Sequence, residues 1–189
     1  MSFYARLKNL ASETAIYGVS SILGRMLNYL LVPFYTWVFE PQRYGVVLAV
    51  YAALVVFNII YTYGMEAAYL TFASRSGNDR RTVFSTSTWT LLGSSVLLSF
   101  ILVGFNDSVA WLISLEERWT YLLNYAAALV FLDTMAVVPF ADLRLQNRPW
   151  RFAGIRIVGI VVNIGLNIIL IVGLDWGIVA VLLANVVAS

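Results

Sequence analysis

The sequence contains no cysteine and no histidine among its 189 residues. The absence of cysteine excludes disulfides, thiol catalysis and thiolate metal sites. The absence of histidine removes the most common general base and the most common metal ligand. Chemistry would then depend on scattered carboxylates, so we expect neither an enzymatic activity nor a cofactor.

Charged residues are scarce as well. They make up 12% of the chain, while 61% of the residues are hydrophobic; soluble domains carry about 25% charged residues. Too little polar surface is available to coat a soluble fold of this length, so lipid must solvate much of the protein. The net charge of +2 is small and scattered, and it indicates no nucleic-acid partner.

The apolar residues fall into long segments, and a membrane-spanning helix needs about 20 of them. We predict six spans, at residues 15–39, 46–73, 83–105, 119–141, 155–174 and 176–189. The first apolar stretch is too long for a signal peptide. Continuous apolar runs favour helices over the alternating strands of a barrel. The predicted fold is therefore an all-α polytopic transmembrane helix bundle.

The connections between the spans are polar. We predict a tight turn at 40–45, a basic loop at 74–81, and a loop at 142–151 after a fourth span that Pro139 kinks or ends. The longer connection 106–118 is expected to form a short interfacial helix with Trp111, Leu112 and Leu115 on one face. Residues 176–189 reach only about 21 Å as a helix, so we expect the sixth span to be truncated.

Basic residues in the loops predict the orientation of the bundle. With a cytoplasmic N-terminus, eight lie inside: Arg6, Lys8, Arg75, Arg80, Arg81, Arg144, Arg148 and Arg151. The outer loops then hold Arg43 and Arg118. We therefore expect the N-terminus in the cytoplasm.

Four ionisable residues lie within the predicted spans: Arg25, Glu66, Asp133 and Arg156. Each would cost about 2.5–3.5 kcal/mol if it faced lipid, so each should face protein or a wet cavity. Arg25 and Asp133 lie about 12–15 Å from the cytoplasmic end of their spans, whereas Glu66 and Arg156 lie about 7–10 Å from it. The matched depths suggest two ion pairs, Arg25 with Asp133 and Glu66 with Arg156.

Polar residues recur at helical spacing on three spans. The sets are Ser21, Arg25 and Asn28; Asn58, Thr62 and Glu66; and Arg156, Asn163 and Asn167. Each set shares one helix face, which either lines a cavity or forms interhelical hydrogen bonds worth about 0.6 kcal/mol. We interpret Asn163 and Asn167 as interhelical contacts. The candidate substrate-binding residues are Arg25, Asn28, Asn58 and Glu66.

Three segments resemble a known family. They are YGVSSILGRMLNYLLVPFYTWVFEPQRYG (17–45), YGMEAAYLTFASR (63–75) and RLQNRPWRFAGIRIVGIVVNIGLNIILI (144–171). The Gly-Arg of the first span, the Pro-x-x-Tyr-Gly turn and the Tyr-Gly-Met-Glu of the second are similar to those of polysaccharide-biosynthesis flippases. These are the O-antigen and exopolysaccharide transporters.

The resemblance implies the multidrug/oligosaccharidyl-lipid/polysaccharide transporter fold, with two six-helix lobes around a central cavity. Residues 1–189 would be the N-terminal lobe, without the second lobe. The implied substrate is an undecaprenyl-pyrophosphate-linked oligosaccharide, moved from the inner to the outer leaflet of a bacterial cytoplasmic membrane. Arg25 would meet the pyrophosphate, and the implied partners are membrane lipids, a glycan polymerase and glycosyltransferases.

Two other functions fit the same residues. A cation-coupled drug or metabolite exporter of this fold would use Glu66 or Asp133 as its coupling carboxylate. A non-transporting membrane subunit would act as a scaffold for glycan-assembly enzymes. Accumulation of untranslocated lipid-linked glycan after gene deletion would distinguish the flippase from both.

Overall fold

A computed structural model describes residues 18, 31–75, 77 and 79–189, and every regular element in this part of the chain is helical. The described part of helix α1 covers residues 31–38. The other elements are α2 (Pro41–Thr62), α3 (Met65–Ala73), α4 (Arg80–Gly104), α5 (Asn106–Leu112), a 3₁₀ turn (Glu117–Trp119), α6 (Leu122–Leu145), α7 (Pro149–Ile168), a π-helical turn (Ile169–Gly173) and α8 (Ile178–Ala188).

Four segments of the described part are long and apolar enough to cross a membrane: Pro41–Ala73, Arg80–Gly104, Leu122–Leu145 and Pro149–Gly173. They confirm the prediction of an all-α membrane bundle. The apolar helix α8 is shorter than a full span. Most of the predicted first span, with Arg25 and Asn28, lies outside the described residues.

Two predicted connections are mostly helical. Residues 41–45 form the first turn of α2 instead of a tight turn, and the loop predicted at 142–151 shrinks to residues 146–148. Pro41 and Pro149 each occupy the first turn of a helix. Proline suits that position because its missing N–H would have no helical partner there and its φ is already helical. Pro41, which was interpreted as a breaker, and Pro149, which was placed in a loop, are therefore both helix starts.

Pro139 was predicted to kink or to end the fourth span. Helix α6 continues through it to Leu145, so the second of these alternatives was wrong. A transmembrane helix tolerates proline because its neighbours help to satisfy the freed carbonyl group. The last turns of α6 carry Asp142 and Arg144, which the sequence analysis had assigned to a loop.

The second predicted span is interrupted between α2 and α3. Tyr63 has φ 31° and Gly64 has φ 78°, both in the left-handed region. Tyr63 ends α2 by donating its backbone N–H to the Ile59 carbonyl. Glycine is favoured at such a helix end because it has no Cβ to clash with the backbone. The chain therefore has a joint inside this span.

The short helix predicted in 106–118 is present as α5, but its three apolar residues do not share a face. Trp111 and Leu112 are exposed, whereas Leu115 is buried. The helix ends at Leu112, and Ser114 takes a left-handed φ of 54°. Leu115 then turns back and donates its N–H to the Ala110 carbonyl at 2.8 Å. The single-face prediction was therefore wrong.

Helix α6 lies at the centre of the bundle and packs against α2, α3, α4, α7 and α8. Its Leu122, Leu123 and Ala126 are nearly fully buried and belong to the core that also contains Val50 of α2 and Val181 of α8. Elsewhere large apolar side chains point outward, including Phe100 of α4 and Val161 of α7. This outward apolar surface is suited to lipid.

One end of the bundle is held together by Asp142. Its carboxylate lies 3.1 Å from Nε of Arg80 at the start of α4. It also accepts hydrogen bonds from the hydroxyl of Tyr69 on α3 and from Nε2 of Gln146. The end of α3, the start of α4 and the end of α6 therefore meet here. Arg75, which follows α3, and the loop 146–148, which follows α6, therefore lie at this same end.

Asp79 caps the first turn of α4 at this end. Its carboxylate accepts from the Thr82 hydroxyl at 2.8 Å and from the backbone N–H groups of Arg81 and Thr82 at 3.2 and 3.1 Å. These hydrogen bonds hold the pKa of Asp79 below its usual value because they favour the ionised form, and the bond from the Thr82 hydroxyl has the largest effect.

Candidate functional site

One face of α6 brings the candidate residues together. Asp133, Val137, Phe140 and Arg144 are spaced i, i+4, i+7 and i+11, which puts them on one side of the helix. Glu66 of α3, Arg156 of α7 and Ser189, which follows α8, contact three of these four side chains, and Val137 lines a groove beside α2. We call this surface the polar face.

The ion pair of Glu66 is formed with Arg144. Nη2 of Arg144 lies 2.6 Å from Oε1 of Glu66, so the predicted pair of Glu66 with Arg156 is corrected. The error has a physical reason: Arg144 belongs to the extended end of α6, at the level of α3. Both side chains are partly exposed, 37% for Arg144 and 43% for Glu66. Nε of Arg144 is buried and has no partner among the described residues.

The joint between α2 and α3 opens onto a groove of about 380 Å³. Its lining, which we call the carboxylate groove, consists of Asn58, Thr62, Gly64, Glu66, Ala67, Leu70 and Val137. The predicted stripe of Asn58, Thr62 and Glu66 thus faces one space, although the helix between them is interrupted. A groove with an amide, a hydroxyl and a carboxylate can hydrogen-bond a polar ligand.

Asp133 and Arg156 occupy neighbouring parts of the polar face. Asp133 lies near the middle of α6, is exposed, and accepts a hydrogen bond from the Ser189 hydroxyl at 2.7 Å. The Arg156 guanidinium lies 4.4 Å from the centre of the Phe140 ring and interacts electrostatically with Asp133. Facing lipid would be costly for either charge, so we expect this side of the bundle to border a polar environment. The predicted partner of Asp133, Arg25, lies outside the described residues.

A continuous hydrogen-bonded relay crosses the bundle beside this face. The Tyr35 hydroxyl donates to Oδ1 of Asn167 at 2.8 Å, and Nδ2 of Asn167 donates to Oδ1 of Asn163 at 2.9 Å. Nδ2 of Asn163 donates to Oδ1 of Asn185 at 2.8 Å. Nδ2 of Asn185 donates to the Tyr51 hydroxyl at 2.6 Å. The relay links α1, α7, α8 and α2, and it confirms Asn163 and Asn167 as interhelical contacts.

The relay ends in a second, more apolar groove of about 220 Å³. This tyrosine groove is lined by Leu31, Val32, Tyr35, Tyr44, Val47, Leu48, Tyr51 and Asn185. Tyr44, Tyr51, Asn58 and Thr62 are spaced by seven, seven and four residues along α2. One face of α2 therefore runs from the tyrosine groove to the carboxylate groove.

Sequence reasoning missed Arg144, Tyr51 and Asn185. Arg144 lies eleven residues after Asp133, a spacing that would have placed both on one helix face had the fourth span been extended past residue 141. The seven-residue spacing of Tyr44, Tyr51 and Asn58 was a similar signal on α2. Asn185 is an amide inside an apolar segment, which in a membrane calls for a hydrogen-bonding partner.

The polar face is built for binding. In the part of the chain that the structure describes, no three histidine, cysteine, aspartate or glutamate side chains converge in a way that would hold a metal ion. What the face offers is two guanidiniums, two carboxylates and a hydroxyl, with an amide and a second hydroxyl in the adjoining carboxylate groove. Such groups are suited to a ligand that carries both charge and hydroxyls.

Comparison with known proteins found one family. The model of a family described as polysaccharide biosynthesis protein matches residues 38–189, which include all of α2 to α8. No curated protein and no solved structure matched the chain.

Proposed function

The chain belongs to the polysaccharide biosynthesis protein family, and from that premise we propose that it moves a lipid-linked oligosaccharide from the inner to the outer leaflet of the membrane. The glycan, carried on undecaprenyl pyrophosphate, would serve polysaccharide or O-antigen assembly. The observation that carries the proposal is the polar face of α6. It joins Glu66, Arg144 and the exposed mid-span Asp133 in a bundle that exposes many large apolar side chains.

Arg144 is the proposed contact for the pyrophosphate. It is partly exposed, its Nε has no partner among the described residues, and Glu66 engages only its Nη2. A guanidinium binds a phosphate through parallel hydrogen bonds, so an entering pyrophosphate would compete with Glu66 for the same fork. Glu66 then holds Arg144 in place before the substrate enters. Arg25 and Asn28, on the first predicted span, are proposed to contribute to the same substrate site.

The proposed orientation brings this site to the cytoplasmic side. The end of the bundle with Arg80, Arg144 and Arg148 is the basic end, and basic loops favour the cytoplasm. The carboxylate groove then opens in the inner half of the membrane, where a lipid-linked glycan is assembled. Asp133 and the tyrosine groove lie further along the route outward.

A cation-coupled exporter is the second candidate function. The exposed carboxylate of Asp133 near the middle of α6 favours it, since an intramembrane carboxylate is typical of ion-coupled transport. In that case a proton or sodium ion would compete with the Ser189 hydroxyl for Asp133. A drug-efflux assay in a strain without the gene, complemented with the wild type or Asp133→Asn, separates the two functions.

The direct test is deletion of the gene followed by complementation. We expect untranslocated lipid-linked glycan to accumulate in the deletion strain and wild-type protein to clear it. Arg144→Lys keeps the charge but loses the planar fork, and it should restore export at least tenfold less well. Arg148→Lys, an exposed arginine three residues beyond the end of α6, is the matched control and should restore export fully. Normal glycan distribution without the gene would refute the flippase.

A further inference from the structure

The direction of every hydrogen bond in the relay follows from two backbone carbonyls. Nδ2 of Asn167 lies 2.9 Å from the Asn163 carbonyl oxygen, and Nδ2 of Asn185 lies 2.7 Å from the Val181 carbonyl oxygen. A carbonyl oxygen only accepts, so neither amide can be turned around. Because both amides are fixed, Asn163 between them must accept with its Oδ1 and donate with its Nδ2.

The same logic fixes both tyrosines at the ends of the relay. Tyr35 faces the oxygen of Asn167, so its hydroxyl must donate. Tyr51 faces the nitrogen of Asn185, so its hydroxyl must accept. The Tyr51 hydrogen is therefore left for another acceptor, and no described oxygen takes it. It is a donor held in place at the wall of the tyrosine groove.

An acceptor lies close to this donor. Tyr51 interacts electrostatically with Asp133 of α6. Asn185 lies in the last turn of α8, and Ser189, the residue that follows the helix, donates its backbone N–H to the Asn185 carbonyl. The Ser189 hydroxyl bonds to Asp133 at 2.7 Å, while Asn185 bonds to Tyr51. The donor and the carboxylate are thus neighbours on the polar face. A group that accepts from one and donates to the other would join them.

We propose that Tyr51 and Asp133 form a binding site for a neutral sugar hydroxyl. A hydroxyl both accepts and donates, so it can take the Tyr51 hydrogen and give its own to the carboxylate. A phosphate cannot donate when it is fully ionised, and its charge would be repelled by Asp133. The tyrosine rings of the groove supply apolar faces for the C–H surface of a sugar. This inference rests on the proposed function, because it assigns the glycan and the pyrophosphate of one substrate to different subsites.

The test uses two synthetic probes with the protein in nanodiscs: a polyprenyl-pyrophosphate disaccharide and the same polyprenyl pyrophosphate without sugar. Tyr51→Phe should weaken binding of the disaccharide probe about five- to tenfold and leave the sugar-free probe unchanged. Tyr61→Phe, which removes a hydroxyl bonded to Ser99, is the matched control and should change neither. Arg144→Lys should weaken both probes.

A second variant tests the direction of the relay. Asn185→Asp replaces the donating Nδ2 with an oxygen, so the Tyr51 hydroxyl must turn to donate to it and becomes unavailable to the sugar. It should lose disaccharide affinity to the same extent as Tyr51→Phe, and combining the two should add little. If Asn185→Asp does not fold, a cycle of Tyr51→Phe with Asp133→Asn replaces it, with the same non-additivity expected.

The two proposals fail in different ways. Equal affinity of wild type and Tyr51→Phe for the disaccharide probe overturns the sugar site, while loss of binding in Arg144→Lys still supports the flippase. Absence of binding of either probe to the wild type overturns both. Equal losses for the two probes in Tyr51→Phe would assign Tyr51 to the pyrophosphate and overturn the sugar site alone.

Discussion

The relay and the charged end of the bundle keep polar atoms inside a membrane protein by different means. The relay uses neutral groups, and Asn167 and Tyr35 within it are almost completely buried. The charged end, formed by Glu66, Arg144, Arg80 and Asp142, leaves the side chains of its arginines 37% and 47% exposed. Neutral groups can be buried when every bond is made, whereas buried ion pairs carry a desolvation penalty.

The difference in burial indicates different roles for the relay and the charged end. A buried network with every inner bond satisfied is stiff and contributes to stability, since removing one member leaves partners unpaired. A partly exposed ion pair contributes little to stability, but its charges can exchange partners. We therefore expect substitutions of the buried relay amides Asn163 and Asn167 to act mainly on folding, and substitutions in the charged end mainly on export.

The largest effect should follow from Asn167→Leu. This change leaves the Tyr35 hydroxyl and Oδ1 of Asn163 without partners in a buried site, which should cost about 3 kcal/mol of unfolding free energy. Asn58→Leu, an exposed asparagine in the carboxylate groove, is the control and should stay within about 0.5 kcal/mol of the wild type. Reversible unfolding in mixed detergent micelles measures both, and equal losses would contradict the proposed contrast.

A smaller effect is expected at Gly64, where α2 is joined to α3. Gly64→Ala puts a Cβ on a residue with φ 78°, with no atom nearby to clash, so the cost is conformational and about 1 kcal/mol. Gly93→Ala in the middle of α4 also meets open space, but at a helical φ, and should stabilise by up to about 1 kcal/mol. If the two substitutions change the unfolding free energy in opposite directions in the same assay, the positive φ of Gly64, and not the loss of a glycine as such, causes the destabilisation.

The ion pair of the charged end should contribute less still. Glu66→Gln removes the charge but keeps the shape, and it should lower the unfolding free energy by about 0.5 kcal/mol. Its effect on export should be clear, because Arg144 loses the group that holds it before the substrate enters. Complementation of the deletion strain measures export. A variant that exports normally but unfolds several kcal/mol more easily would reverse the roles assigned to the two regions.

Much of this architecture followed from the sequence, because an apolar run of about 20 residues has few alternatives in lipid. The helical bundle and the grouping of Asn58 with Glu66 were predicted in this way. The partner of Glu66 was not, since it depended on where α6 ends, and the predicted span stopped at residue 141 while α6 continues to Leu145. The relay was not predicted because its bonds join residues far apart in the sequence, whereas helical spacing reports on one helix at a time. Tyr35 and Asn167 are separated by 132 positions, and Tyr51 and Asn185 by 134.

The smallest effect is that of acid pH, which should distinguish the start of α4 from the relay without any substitution. The pKa of Asp79 lies below its ordinary value of 3.8 because the Thr82 hydroxyl and two backbone N–H groups bond to its carboxylate. A lowered folded-state pKa contributes stability that is present above the unfolded value and is lost as the pH falls through the folded one. Below about pH 4, the first turn of α4 should therefore exchange its amide hydrogens faster.

The relay contains no group that titrates in this range, so its helices should keep their protection. Asp79→Asn should weaken the pH dependence at the start of α4 and leave α7 unchanged. Hydrogen exchange measured between pH 6 and pH 3, corrected for the intrinsic rate, would contradict the contrast if α7 opened first.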